Sequence, residues 1–231
     1  MLSMLRGRVI AAAALAIGLA TSPAMADTLT YTGYSITNAK SVTITTPTIG
    51  MVGAGRIVLS GVQINNAGAA NVNAWCIDLN NTLQGMGTYG LGGLTDTLLA
   101  GNLNALLNGA AVSNLSLTTG VNSAALQVAI WKTVVPTFAM STSTAESLSI
   151  WNTANTMLAD VANSSNLTWK TSSTMQIVTL DPPLGGNQRL ITLIPGNSGG
   201  NQTVPEPASI ALITVGLAGI AVARRRRRAQ H

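Results

Sequence analysis

Residues 208–223 form a charge-free stretch rich in Ile, Leu, Val, Ala and Gly that runs into five consecutive arginines, Arg224, Arg225, Arg226, Arg227 and Arg228. The stretch is short beside the ~17–25 residues of a usual spanning helix, yet it puts no charge into lipid. Arginines flanking a membrane segment are retained on the cytoplasmic side, so everything upstream belongs on the far side. Pro205 and Pro207 cannot both sit inside a regular helix, which places the helix start at or after Pro207. The beginning of the chain agrees with this orientation. Arg6 and Arg8 make a positive n-region, residues 9–20 an apolar h-region, and Ala24, Met25 and Ala26 a small-x-small cleavage site. The mature chain is therefore expected to start at Asp27, as an exported domain followed by a single C-terminal membrane helix.

Separating the two ends reverses the charge argument. The whole chain carries +5, but Arg6, Arg8 and the arginine cluster all lie in the terminal signals. Between Asp27 and Thr203 stand Lys40, Arg56, Lys132, Lys170 and Arg189 against Asp27, Asp78, Asp96, Glu146, Asp160 and Asp181, a net charge of −1. No basic patch survives, so a nucleic-acid partner is not expected. The 177 residues from Asp27 to Thr203 suffice for one domain with a real core, or two small ones. Their richness in Thr, Asn, Ser, Gly and Ala suits a β-containing exported domain with weakly charged surfaces.

Along this segment the hydrophobic period changes twice. From Leu29 to Ile64 short apolar–polar alternation, notably over 41–45 and 56–64, predicts two or three antiparallel strands with a turn at 50–55. Residues 73–79 predict a further strand carrying Trp75 and the only cysteine, Cys76, and 80–93 a glycine-rich loop. Leu94, Leu98, Leu99, Leu103, Leu106 and Leu107 follow helical spacing, with Asn108 and Gly109 as a stop. A second helix is expected over 121–134, with Ala125, Val128, Ala129 and Trp131 inward and Pro136 beyond its end. A third has a capping box at Ser143 and Glu146, and Leu148, Trp151, Leu158 and Val161 on one face. Residues 175–180 and 189–194 predict a hairpin, and 196–203 a Gly/Asn/Ser linker. Strands, then helices, then strands give an α+β class, an antiparallel β-rich scaffold with a helical insert.

The residue inventory removes most catalytic chemistries. The single histidine, His231, follows the arginines on the wrong side of the membrane, so a Ser-His-Asp or Cys-His mechanism lacks its base. Cys76 with scattered carboxylates makes a poor zinc site, and residues 85–93 offer glycines without the lysine of a phosphate loop. No cofactor or metal is expected, and the domain is read as turning over no substrate. An unpaired cysteine in an exported protein is either a small buried hydrophobe, paired to another chain, or chemically used.

Two resemblances rest on these residues. Pro205-Glu206-Pro207 after Val204, then the short apolar helix and the arginine cluster, resembles the PEP-CTERM sorting signal of exopolysaccharide-producing Gram-negative bacteria, over Val204 to Arg228. That implies an exosortase-type membrane protease as partner, an inner-membrane intermediate, and a destination at the cell surface or in the biofilm matrix. Secondly, Trp75-Cys76-Ile77-Asp78-Leu79 followed by Leu126-Gln127-Val128-Ala129-Ile130-Trp131 resembles the thioester (TQxA) domains of bacterial surface adhesins, over about Ala74 to Leu193, with Leu126 where the family has threonine. It implies a thioester-domain-like fold and an internal thioester from Cys76 to a glutamine near the last strand, held for an amine-bearing surface or matrix polymer. Gln188 is favoured and Gln176 is the alternative, with Gln127, Asp78 and Trp131 in support; Asp78 reads equally as a turn cap, and Trp75 and Trp131 as core anchors.

The expected organisation is a signal peptide over 1–26, an exported α+β thioester-like domain over 27–195, the linker over 196–203 and the sorting signal over 204–231. Two other functions stand beside adhesion. One is an inert structural matrix protein with a buried Cys76, whose free thiol would alkylate readily. The other is a glycan-active enzyme using two of the six carboxylates.

Overall fold

The computed structural model describes residues 27–113, 119–163, 165–183 and 186–195, all within one compact unit, Ala26–Gly200. The expected signal peptide, linker and C-terminal helix with its arginines lie outside these residues. No helix among the described residues is long and apolar enough to cross a membrane.

Seven strands come first: β1 (Thr28–Tyr31), β2 (Gly33–Thr46), β3 (Gly50–Ser60), β4 (Gln63–Ile64), β5 (Ala67–Gly68), β6 (Val72–Cys76) and β7 (Gly87–Gly92). Then follow α1 (Thr97–Val112), α2 (Gly120–Val134), the short β8 (Ala139–Met140) and α3 (Ala145–Ala162), and the domain closes with β9 (Met175–Asp181) and β10 (Leu190–Pro195). The strands form one antiparallel sheet in the order β5-β4-β1-β7-β9-β10-β6-β3-β2-β8. This is the α+β arrangement the pattern predicts, with the helices inserted between β7 and β9. The last strand does not add to an edge. It returns to the middle of the sheet, between its hairpin partner β9 and β6, and pairs Leu190 with Cys76 and Ile191 with Trp75.

Two segments read as turn and loop are strands. Residues 50–55 pair with β2, Gly50 opposite Ile44 and Gly53 opposite Ser41, while the actual turn lies at 47–49 after a cis Thr46–Pro47 bond. A bulge in β2 between Thr37 and Lys40 explains Gly55, because a β-carbon there would stand 2.8 Å from Ala39 Cα. Part of the expected loop at 80–93 is β7, which pairs with β1 and β9. Its glycines make room for neighbours: a side chain at Gly92 would collide with the Asp181 carboxylate, and one at Gly87 with Tyr31 and Asn187.

The helices also depart from the reading in detail. Asp96 caps α1, accepting from the amides of Leu98 and Leu99, and the helix runs through Asn108 and Gly109 to Val112. Gly109 is a contact residue there, since the Trp169 ring lies where its β-carbon would be. In α3 the capping box is one residue later than predicted, Thr144 with Ser147, and Glu146 instead pairs with Lys40. Its buried stripe is Ile150, Ala154 and Met157, while Leu148 is exposed and Trp151, Leu158 and Val161 are half-buried. In α2 the inward positions are as expected, but burial does not stop at one face: every residue from Ser123 to Trp131 is buried. The helix packs on β2, β3 and β6 on one side and on α1 and α3 on the other. A helix enclosed in this way has no polar face, and its alanines let the neighbouring backbones approach.

Candidate functional site

The site begins where two strands part. β3 and β6 pair through Ile57–Ala74, and continuing that register would place Gly55 opposite Cys76. The pairing ends first, leaving the Arg56 amide and both backbone polar groups of Cys76 without strand partners on that side. The gap is filled from α2 by two residues one helical turn apart, Ser123 and Gln127. Ser123 Oγ accepts the Arg56 amide at 2.8 Å. The Gln127 carboxamide closes a two-way contact: Oε1 accepts the Cys76 N–H at 3.0 Å and Nε2 donates to the Cys76 carbonyl at 2.8 Å. Both side chains are buried and each of their polar atoms has a hydrogen-bond partner, which offsets the cost of placing them in the core.

Beyond Cys76 the chain turns. Ile77 still donates to the Arg189 carbonyl at 3.1 Å, and the Asp78 carboxylate then accepts from the Asn80 amide at 2.8 Å and from Asn81 Nδ2 at 2.5 Å. Asp78 is therefore a turn cap, and its backbone carbonyl is the group that faces Cys76 and Gln188. Cys76 Sγ donates to that oxygen at 2.7 Å, and Gln188 Nε2 donates to the same oxygen at 3.1 Å and to the Asn81 carbonyl at 3.0 Å. Thiol and carboxamide nitrogen share one acceptor, which holds them within about 6 Å of each other.

Of the two candidate glutamines, the fold brings Gln188 to Cys76 and leaves Gln176 elsewhere. Leu190 faces Cys76 across the β10–β6 ladder, so Gln188, two residues earlier, shares the face on which Cys76 lies. Gln176 pairs with Ile194 at the opposite end of the β9–β10 hairpin and lines a different depression with Leu94 and Asn104. Cys76, Gln127, Trp131 and Gln188 line one cleft of about 440 Å³, whose apolar walls include Ile36, Ile57 and Leu83.

The electrostatics are those of a dry place. Burial pushes the Cys76 thiol up to about 12; the Trp131 indole and the Asp78 backbone oppose that more weakly. At neutral pH the group is a protonated thiol, 3% exposed, so the free thiol would not alkylate readily as an accessible cysteine does.

Three residues that pattern reading passed over fix the Gln188 backbone. Tyr89 donates its hydroxyl to the Gln188 carbonyl at 2.8 Å, and burial raises its pKa so that it remains a donor. Asn187 Oδ1 accepts from the amides of Gln84 and Gln188 at 3.0 and 2.9 Å, and its Nδ2 donates to Tyr31 Oη at 3.0 Å. The rings of Tyr31 and Tyr89 stack at 5.6 Å. Their signal in the sequence is scarcity, since the chain has three tyrosines.

The carboxylates are engaged one by one in structure. Asp27 accepts from Asn65, Asp96 caps α1, Asp160 accepts from Asn166, Asp181 pairs with Arg189 and Glu146 with Lys40. No group of three metal-ligating side chains occurs among the described residues.

Comparison with known proteins adds the destination. Residues 203–228 match the family model for the PEP-CTERM protein-sorting motif. The chain carries a PEP-CTERM sorting signal. A protein so marked is exported, passes through a membrane-anchored stage, and is processed by an exosortase, itself a membrane protein, on its way to the surface. The N-terminal domain of the Streptococcus pyogenes pilus tip adhesin Cpa is similar in structure at 14% sequence identity, over 58% of this chain and 83% of that chain, with a TM-score of 0.41. No curated relative matches the chain.

Proposed function

We propose that the exported domain is a covalent adhesion module, in which Cys76 and Gln188 condense to an internal thioester that a primary amine on a surface or matrix polymer then opens. The observation that carries this reading is the shared acceptor: Cys76 Sγ–H and the Gln188 amide nitrogen both point at the Asp78 carbonyl, at 2.7 and 3.1 Å. In the condensation the sulfur attacks the side-chain carbonyl carbon of Gln188. An S–C bond forms, the C–N bond breaks, and the thiol proton departs on nitrogen as ammonia. The common oxygen keeps proton donor and leaving nitrogen side by side, which is the positioning such a step needs. In the second step the partner's amine adds to the same carbon, an amide forms, and Cys76 recovers its proton as a thiol. The product stays attached, so the domain has no turnover. Gln127 holds the Cys76 backbone, and the apolar cleft slows hydrolysis by keeping water away. The sorting signal supports a site of action outside the cell, and the setting proposed for it is a biofilm or exopolysaccharide matrix.

A second reading draws on the same burial. A thiol pushed up to about 12 also describes a chemically quiet core cysteine, in which case the protein is a structural matrix component. Intact mass of the secreted protein separates the two. The thioester form is lighter than the sequence mass by one ammonia and gains one methylamine on incubation. Cys76→Ala and Gln188→Ala abolish both changes, and Gln176→Ala abolishes neither. An unshifted mass in freshly prepared wild-type protein would refute the thioester.

A further inference from the structure

Two buried side-chain donors have no hydrogen-bond partner among the described residues, the indole N–H groups of Trp75 and Trp131. A donor left unpaired in a core is costly, because it gives up its bond to water and gains none in return. The two are not equivalent. Trp75 neighbours Cys76 along β6, so its ring lies on the opposite face of the sheet, and it is absent from the lining of the Cys76 cleft. Trp131 lines that cleft and is 3% exposed. Nε1 is the atom of Trp131 able to act on a thiol by hydrogen bonding, and its influence on Cys76 is the largest that opposes burial. Trp131 thus brings a buried N–H without a partner to the wall of the cleft that it shares with Cys76 and Gln188.

A vacant acceptor belongs to the same cleft. The Gln188 carboxamide nitrogen donates twice, to Asp78 and Asn81, whereas its side-chain oxygen accepts no hydrogen bond among the described residues. The amides nearby each donate one hydrogen bond elsewhere, Gln127 Nε2 to the Cys76 carbonyl and Asn81 Nδ2 to the Asp78 carboxylate. When sulfur bonds to the Gln188 carbon, that oxygen lies two bonds from the sulfur, in the cleft that Trp131 lines, and in the tetrahedral intermediate it carries negative charge.

We propose that the Trp131 indole N–H is the oxyanion donor of this site, meeting the Gln188 side-chain oxygen both as the thioester forms and as an amine opens it. This rests on the thioester reading and adds to it the group that stabilises charge. A preorganised donor in a water-poor cleft is worth on the order of 10²–10³-fold in rate.

The test uses the full secreted chain, with methylamine as the probe and intact mass as the clock. Trp131→Phe keeps an aromatic ring and removes the donor; ammonia loss and methylamine uptake should each slow by on the order of 10²-fold or more, with little change in melting temperature. Trp75→Phe removes the other unpaired N–H and should leave both rates within about threefold of wild type. Should the phenylalanine variant fail to fold, benzothienylalanine at position 131 preserves the bicyclic shape and replaces the N–H with sulfur. Rates within about threefold of wild type in whichever of these variants folds overturn the assignment, as does an equal slowing in Trp75→Phe. A wild-type protein that loses no ammonia overturns the thioester itself, and the role of Trp131 falls with it.

Discussion

Gln127→Leu isolates the contact that splices α2 into the sheet. The substitution nearly conserves volume and removes hydrogen bonds of 3.0 and 2.8 Å to the Cys76 backbone, at a place where Gln127 is 1% and Cys76 3% exposed. β3 has already diverged, so no strand is available to replace them. Two buried backbone groups left without partners cost about 1–3 kcal/mol each. The added apolar burial of leucine returns about 1–2 kcal/mol. The net loss is about 3 kcal/mol, or roughly 6–12 °C in melting temperature for a domain of this size. Urea unfolding should be compared in a Gln188→Ala background, where no thioester cross-link contributes to either protein. The midpoint should fall at an unchanged m-value. A loss below about 1 kcal/mol would mean that water or a relaxed strand satisfies Cys76, and the account of how α2 positions the thiol would fail.

Four further outcomes are expected. In Gln188→Ala the free thiol, pushed up to about 12 by burial, should react with iodoacetamide at pH 8 about a thousandfold more slowly than in the unfolded chain, and accelerate about tenfold per pH unit above that. Because the unfolded thiol ionises first, at its ordinary 9.0, the same variant should lose stability as pH rises from 9.0 to about 12, a slope that adding Cys76→Ala removes. Gly109→Ala, which in a free helix would stabilise by about 1 kcal/mol, should here cost about 1–3 kcal/mol, read as a lowered melting temperature, because the new methyl meets the Trp169 ring. Finally, mass spectrometry of the secreted protein should find Arg224–Arg228 removed, and replacing Glu206 and Pro207 by alanine should leave the tail in place and the protein with the membrane fraction.

Legibility followed the range of the forces involved. The Pro-Glu-Pro motif, the apolar run and the arginines are contiguous, so their physical meaning could be read directly. The β9–β10 hairpin and α2 were equally plain, since a two-residue period and a run ended by proline are local signals. Glycines misled wherever their role was non-local. Gly55, Gly92 and Gly109 look like breakers, yet each is small because Ala39, Asp181 or Trp169 approaches from a distant part of the chain. The α3 stripe was misplaced for a related reason. Leu148 and Trp151 are the bulkier residues, but Ile150, Ala154 and Met157 are the ones turned inward.

For the site, the chain by itself supplied the ingredients: one cysteine, a helical glutamine, two strand glutamines and no usable histidine. It favoured Gln188, before the last strand, and kept Gln176 as the alternative, without showing which of them reaches the thiol. That choice belongs to the sheet, because inserting β10 beside β6 sets Leu190 against Cys76 and so delivers Gln188 to the thiol, while the same hairpin carries Gln176 to its far end. Nor could pattern show that the β3–β6 pairing ends at Ala74, two residues short of Cys76, or that Gln127 enters the gap. Local sequence determined where the protein is sent and which groups it carries. Strand order and register, set by long-range burial and backbone pairing, decided which of those groups meet.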